Sequence, residues 1–307
     1  MLRNKMSCFQ QLVRKRFSEN SETKLIGFDV SRHLISIGNE YTDRVIDLPI
    51  AEESIAGIAI GLSRCGVDVF VDFMFEGFMA RCFEPLTNGL INNFSFFDKE
   101  TSQIVFRALS GPFAGCGSSH SGYMPSLISS IKHLIVVSPI DFRMLESSFL
   151  LARQVRCPLL ILEPADNIDS RLSNFFSRQI EPTIGSRLLT SSQENQILIV
   201  AFSSICSLVI DVLKLHFSSN FDMLIIGFKD DDIEYYFSTI SGYKHIIFIG
   251  LEYLYTFNFF YSSFKHTNTE TLISIFDPYC ANELVPISKE DVKFSLIMFL
   301  RKVILPL

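Results

Sequence analysis

"RVIDLPIAEESIAGIAIGL", Arg44 to Leu62, decides how the rest of the chain is read. A short apolar run ends at a proline. Two adjacent carboxylates follow, Glu52 and Glu53, and then a run of small and branched apolar residues. Helical spacing over 53–64 predicts a helix, and acids in its first turn meet the positive end of the helix dipole. That preference alone accounts for a pair of solvated glutamates. The small residues at 56, 57, 59 and 61 add a further property, because they let another backbone approach closely. One of the two acids is therefore expected to point into an interface or a cavity.

Working outward, "VDVFVDF" (67–73), "SQIVFRA" (102–108), "HLIVVS" (133–138) and "PLLILE" (158–163) are short and nearly continuous in apolar residues. Strands buried on both faces have this pattern. Helical spacing fills 77–92 and 142–154, the second capped by Ser138 or Asp141. From 165 to 195 the pattern dissolves into polar residues and reads as a crossing between domains. Alternation then resumes. "QILIVAF", "FDMLIIGF", "HIIFIG" and "TLISIF" read as strands, with helices near 204–217, 230–240 and 289–302. The expected fold class is α/β with parallel sheets in two domains, 1–168 and a smaller 196–307, joined by a linker at 169–195.

With 48% hydrophobic residues and a mean hydropathy of +0.29, the chain must hide apolar surface in a core, a partner or a membrane. A net charge of −6 without a basic tract argues against nucleic acid. Cysteines at 8, 65, 82, 116, 157, 206 and 280 form no C-x-x-C pair. An odd, scattered set reads as reduced thiols in a cytoplasmic protein, with neither a disulfide frame nor a zinc site. The first 17 residues are basic but lack a long apolar segment. They read as an amphipathic helix or a transit peptide, and not as a secretory signal. Ile246 to Phe264 is the most membrane-like stretch, yet Gly250 and Glu252 interrupt it. A buried strand followed by an interface segment fits better than a span, so no membrane partner is expected.

Ligands of open parallel sheets sit beyond the carboxyl ends of the strands. Two loops belong there, "DFMFEGF" and "RALSGPFAGCGSSHSG". In the second, His120 lies among glycines at 111, 115, 117 and 122, where backbone approaches a ligand closely. A histidine so placed is a candidate proton donor or acceptor, although an isolated loop histidine is most often a surface residue. Ser118, Ser119 and Ser121 suggest a hydrolase nucleophile, but the G-x-S-x-G elbow is absent. Phe75 and Phe78 are core by default in a chain with 30 phenylalanines, unless a flat ligand stacks there. There is no P-loop, no G-x-G-x-x-G opening a helix, and no metal-ligand spacing.

In this order, "RVIDLPIAEESIAGIAIGL", "FVDFMFEGFMARCFEPLTN", "IVFRALSGPFAGCGSSHSG", "VVSP" and "PLLILEP" resemble the β subunit of thiamine-diphosphate-dependent 2-oxoacid dehydrogenases. That is the pyruvate and branched-chain first component, akin to the pyrimidine-binding half of transketolase. The resemblance spans about Arg44 to Pro164; the second half is similar in pattern and position only. It implies an N-terminal pyrimidine-binding domain and a C-terminal transketolase-like domain. Glu52 stands at the P-I-x-E glutamate, which hydrogen-bonds N1′ of the cofactor's aminopyrimidine, while Glu53 faces away. Phe78 matches the aromatic that stacks on that ring, with Phe75 beside it, and His120 the His-Ser histidine near the reacting carbonyl. The resemblance further implies thiamine diphosphate shared, in an α2β2 assembly, with an α-type subunit whose G-D-G…N-N motif holds Mg²⁺. A lipoyl domain, a carrier-protein thiol or an aldose would accept the product fragment.

Departures from the family pattern accompany these matches. Phe28 replaces an acid, Ala108-Leu109 replaces a glycine-proline, Gly122 replaces a glutamine, and Val155 stands at a potassium-site acid. The paired glycines before the third motif are also lost, in "NFSFFDKETS". That loss and Phe28 motivate the alternative of a non-catalytic scaffold or regulatory homologue.

Overall fold

The chain's computed structural model describes residues 6–91, 102–110, 120, 128, 131, 133–164, 178–180, 186–190, 195–217, 221–227, 242–250, 272–276 and 289–304. Two units emerge, Met1–Ala165 and Asp166–Leu307.

The first unit is built on a six-stranded sheet. Its strands are β1 (Lys24–Phe28), β2 (Val45–Leu48), β3 (Val69–Phe75), β4 (Ile104–Ser110), β5 (Ile135–Val137) and β6 (Leu159–Pro164). They run in the order β2-β1-β3-β4-β6-β5, and every pairing is parallel. The central strands are buried nearly throughout, as their unbroken apolar runs require when helices cover both faces. Helix α1 (Cys8–Glu19) begins with a capping box between Ser7 and Gln10 and buries Phe9, Leu12, Val13 and Phe17. The basic N-terminal segment thus contains an amphipathic helix. Two short helices follow β1, α2 (Val30–His33) and α3 (Ile35–Gly38). Helix α4 (Glu52–Arg64) buries Ile55, Ala56, Ala59 and Ile60 against the sheet. Helix α5 (Phe142–Gln154) is capped by Asp141, whose side chain accepts from Met144 N; of the two candidate caps, it is the one used.

The helix expected over 77–92 is not an α-helix. A 3₁₀ segment runs from Glu76 to Cys82 and a π-helical turn from Pro85 to Ile91. Pro85 explains the break, because its ring lacks an N–H and clashes with the carbonyl four residues earlier.

The second unit holds β7 (Arg178–Ile180), β8 (Ser186–Thr190), β9 (Ile197–Phe202), β10 (Asp222–Ile226), β11 (His245–Ile249) and β12 (Leu272–Phe276). The order is β12-β11-β9-β10-β8-β7. Four strands are parallel, but β8 pairs antiparallel with β10, and β7 antiparallel with β8. Two expectations need correction here. The sheet is mixed, not parallel, and the stretch 169–195 contains two strands of it. Flanking polar residues hide β8 in the sequence, while Leu188 and Leu189 are buried once β8 closes the edge beside β10. Helices α6 (Ser203–His216) and α7 (Lys289–Ile304) match the sequence reading, whereas the helix expected at 230–240 lies outside the described residues. Ile246–Ile249 falls in β11, and 251–264 lies outside the described residues. No helix among the described residues is long and apolar enough to cross a membrane.

Candidate functional site

Three neighbouring strands of the first sheet each carry one charged residue: Asp72 at the middle of β3, Arg107 at the middle of β4 and Glu163 near the carboxyl end of β6. All are nearly or fully buried. Arg107 Nη1 donates to both oxygens of Asp72 at 3.1 Å. Its Nε and Nη2 donate to Glu163 Oε2 at 2.9 and 2.7 Å. Phe9 N, in the first turn of α1, donates to Glu163 Oε1 at 3.1 Å, so a helix N-terminus completes that carboxylate's shell. Strand β1 contributes as well. A Cβ at Gly27 would lie 2.6 Å from the Asp72 carbonyl oxygen, and only glycine fits that approach.

His33 closes the cluster. Its Nε2 lies 2.9 Å from Asp72 Oδ2 and its Nδ1 2.9 Å from Asp29 O. Both oxygens accept hydrogen bonds, and a neutral imidazole has one N–H to give, so the geometry calls for the imidazolium. Burial pulls the His33 pKa down, but the Asp72 hydrogen bond and charge outweigh it and the pKa is raised. Burial likewise pushes Asp72 up, and the Arg107 charge with the His33 bond overrides it, holding Asp72 at about 2.

Immediately past Asp72 the backbone turns sharply. Met74 has φ +62°, a left-handed conformation that costs a side-chain-bearing residue about 1 kcal/mol or more. The register shifts at the same place: Asp72 faces Arg107, yet Phe75 faces Leu109, leaving one extra residue on β3. Met74 N donates to Asp72 Oδ1 at 2.8 Å. Glu76, fully buried, accepts from Ser110 Oγ at 2.7 Å at the end of β4.

Beyond this bulge, three of the four sequence-predicted residues come together. The His120 ring lies 4.9 Å from that of Phe75 and 5.5 Å from that of Phe78, edge-on to both. Phe75 and Phe78 are themselves 5.7 Å apart at 79°. Phe75 is buried, whereas Phe78 and His120 are half-buried. Ser118, Ser119, Ser121 and Gly122 lie outside the described residues.

Glu52 opens α4, whose core residues pack with Met79 and Cys82 of the 3₁₀ segment that carries Phe78. It is half-buried, while Glu53 is exposed. Among the described residues the Glu52 carboxylate has no hydrogen-bond or ion-pair partner. Its charge is nonetheless felt nearby: burial, then Glu52 and Glu53, push the Cys82 thiol up to about 12. No group of three or more metal-ligating side chains occurs among the described residues.

Sequence reasoning missed Asp72, Glu76, Glu163 and His33. A signal was present for three members of the cluster. "VFVDF", "IVFRA" and "LLILE" each place a single charge in an otherwise apolar strand, and such charges are retained when they pair.

The family model described as "Transketolase, pyrimidine binding domain" matches residues 7–170. The chain is 32% identical over 101 residues to the acetoin:2,6-dichlorophenolindophenol oxidoreductase subunit beta of Cupriavidus necator, covering 33% of this chain and 30% of that protein. It is 27% identical over 187 residues to the pyruvate dehydrogenase E1 component subunit beta of Rickettsia conorii, covering 61% and 57%. The matches therefore span less than two thirds of these curated relatives. Among solved structures, "Split gene transketolase, inactive beta4 tetramer" superposes with a TM-score of 0.66 at 16% identity, covering 95% of this chain and 97% of that one. At that identity the likeness is one of fold.

Proposed function

The chain belongs to the transketolase pyrimidine-binding domain family, and from that premise we propose that it is a β-type subunit supplying the pyrimidine-facing half of a thiamine-diphosphate site. The activity would be that of a 2-oxoacid decarboxylase/dehydrogenase or a split transketolase-like acyl or aldehyde transferase. The observation that carries this reading is the Glu52 carboxylate, half-buried and without a protein partner among the described residues. An acid so placed suits a ligand's ring N–H, since a charge-assisted hydrogen bond gains strength where water is partly excluded. Phe78, half-buried on the segment beside α4, fits a flat heterocycle, and Phe75 backs it.

Thiamine diphosphate, when bound, supplies the nucleophilic carbon and the electron sink for cleavage next to a carbonyl. Glu52 holds the ring nitrogen in its protonated form. Phe78 limits how the ring tilts. His120, held between two aromatic rings, gives or takes a proton at the reacting carbonyl or braces the charge that develops there. The sequence lacks a G-D-G…N-N motif. Diphosphate and Mg²⁺ are accordingly assigned to an α-type partner in an α2β2 assembly, and the fragment passes to a lipoyl domain, a carrier-protein thiol or an aldose.

Co-purification with an α-type partner, followed by calorimetric titration with thiamine diphosphate and Mg²⁺, tests this. Binding by the pair and not by this chain alone is expected. A second reading, a non-catalytic scaffold or regulatory subunit, is favoured by Phe28, whose ring packs on the hydrophobic core where the resembling family carries an acid. Absence of binding by every assembly of the pair would establish that second reading over the first.

A further inference from the structure

The end of β3 is held on both sides of its bulge. Before the bulge, Asp72 binds Arg107 of β4 and the N–H of left-handed Met74. After it, Glu76 binds Ser110, the last residue of β4. The residue between, Phe75, and the next aromatic, Phe78, both lie against the His120 ring. Both carboxylates are fully buried. A hydrophobic strand end would not need two buried acids to stay folded, and each acid carries a desolvation cost that its partners must offset.

We propose that Asp72 and Glu76 form a two-point clamp that fixes the bulge at Met74–Phe75 and so positions the Phe75–Phe78–His120 cluster. Both are positioning residues, acting through the aromatic rings. Asp72 selects the left-handed Met74 backbone by accepting its N–H, a bond that a straight β3 would not place there. Glu76 anchors the chain on the far side, so Phe75 cannot slide along β4 and the 3₁₀ segment starts at a fixed point. Ser110 shares in this anchoring, because the chain beyond it leads toward His120.

The functional meaning of the cluster rests on the site reading given above, but the test needs neither cofactor nor partner. The His120 ring proton Hε1 is observed by NMR and assigned by its loss in His120→Ala. Ring currents from Phe75 and Phe78 shift it in the native chain. Asp72→Asn and, separately, Glu76→Gln are expected to move this resonance toward its random-coil position. The His216 and His245 signals of the second unit should stay in place. Adding Met74→Gly to Asp72→Asn should restore at least half of the displacement, because glycine adopts the left-handed conformation without help. Should Asp72→Asn fail to fold, Glu76→Gln alone decides. An unmoved His120 signal in a folded Glu76→Gln variant overturns the clamp, as does a displaced signal that Met74→Gly leaves untouched. Failure of thiamine diphosphate to bind the assembled pair would remove the site reading and leave this positioning result standing.

Discussion

The two six-stranded sheets share a parallel core and differ in where their charges lie. In the first sheet, Asp72 and Arg107 stand at the middle of β3 and β4 and Glu163 near the end of β6, buried and mutually bonded. In the four parallel strands of the second sheet, the only charged or titratable side chains, Asp222 and His245, stand at amino ends. Asp222 accepts from Asn195 Nδ2 at 2.8 Å and from Tyr243 OH at 2.7 Å. Ligands of such sheets bind beyond the carboxyl ends. The difference teaches that similar architecture can carry different interiors: one strand set holds a buried charge cluster from its middle onward, and the parallel strands of the other are uncharged beyond their first residues.

The largest expected effect probes the first sheet's site directly. Glu52→Ala in the partnered assembly should lower turnover by about 100-fold or more, the scale of losing one interaction made at the reacting centre. Assembly, followed by size-exclusion chromatography, should be unchanged. Near-normal turnover would erase the functional contrast between the sheets.

Stability sharpens the same comparison. Asp72→Asn leaves Arg107 buried beside a neutral amide and should cost about 3–5 kcal/mol in urea unfolding. Asp222→Asn alters a carboxylate that accepts from the neutral groups of Asn195 and Tyr243 and should cost about 1–2 kcal/mol. Equal costs would mean that the charge cluster is no more than ordinary hydrogen bonding.

The cluster also predicts a pH dependence. With Arg107 and His33 positive and Asp72 and Glu163 negative, the group is neutral only while His33 is protonated. The His33 pKa is raised on folding, so its contribution is fully present below the unfolded value of about 6.5. It is lost as pH climbs through the raised folded value. Asp72 behaves oppositely: its contribution is present above about 3.9 and disappears as pH falls through its folded value of about 2. The melting difference between the native chain and His33→Ala should therefore be largest in mild acid and shrink toward alkaline pH. A pH-independent difference would remove the imidazolium from the cluster.

Much of this was legible in the sequence, for physical reasons that also mark what was not. Strands such as "PLLILE" announced themselves because burial on both faces leaves an unbroken apolar run. Helix α5 was legible from its spacing and its Asp141 cap. Strand β8 was not, since a ladder partner and not its own pattern makes it a strand. The 3₁₀ and π turns at 76–91 defeated a helical pattern through Pro85. Phe75, Phe78 and His120 were found through family motifs, and the structure brings their rings together. The roles of Asp72 and Glu76 escaped because a lone acid in the sequence does not name its partner: Arg107 lies 35 positions beyond Asp72 and Ser110 34 beyond Glu76.

The smallest effect concerns α4, where the sequence suggested close packing of small residues. That expectation divides along the helix. Ala56 and Ala59 face the sheet and are fully buried, whereas Gly57 and Gly61 are exposed, and among the described residues a Cβ at either would meet nothing within 4 Å. Within this chain, then, the two glycines only weaken the helix. Gly57→Ala and Gly61→Ala should each stabilise the isolated chain by up to about 1 kcal/mol through helix propensity. If the exposed face is where another subunit's backbone lies, the same added methyl groups must clash in the assembly. The paired measurement is a higher melting temperature for the isolated double variant together with weaker association with the partner. A stabilised variant that associates normally would place the subunit interface elsewhere and leave the glycines without a role, whereas loss of association alone would show that open space on this chain is reserved for a neighbour.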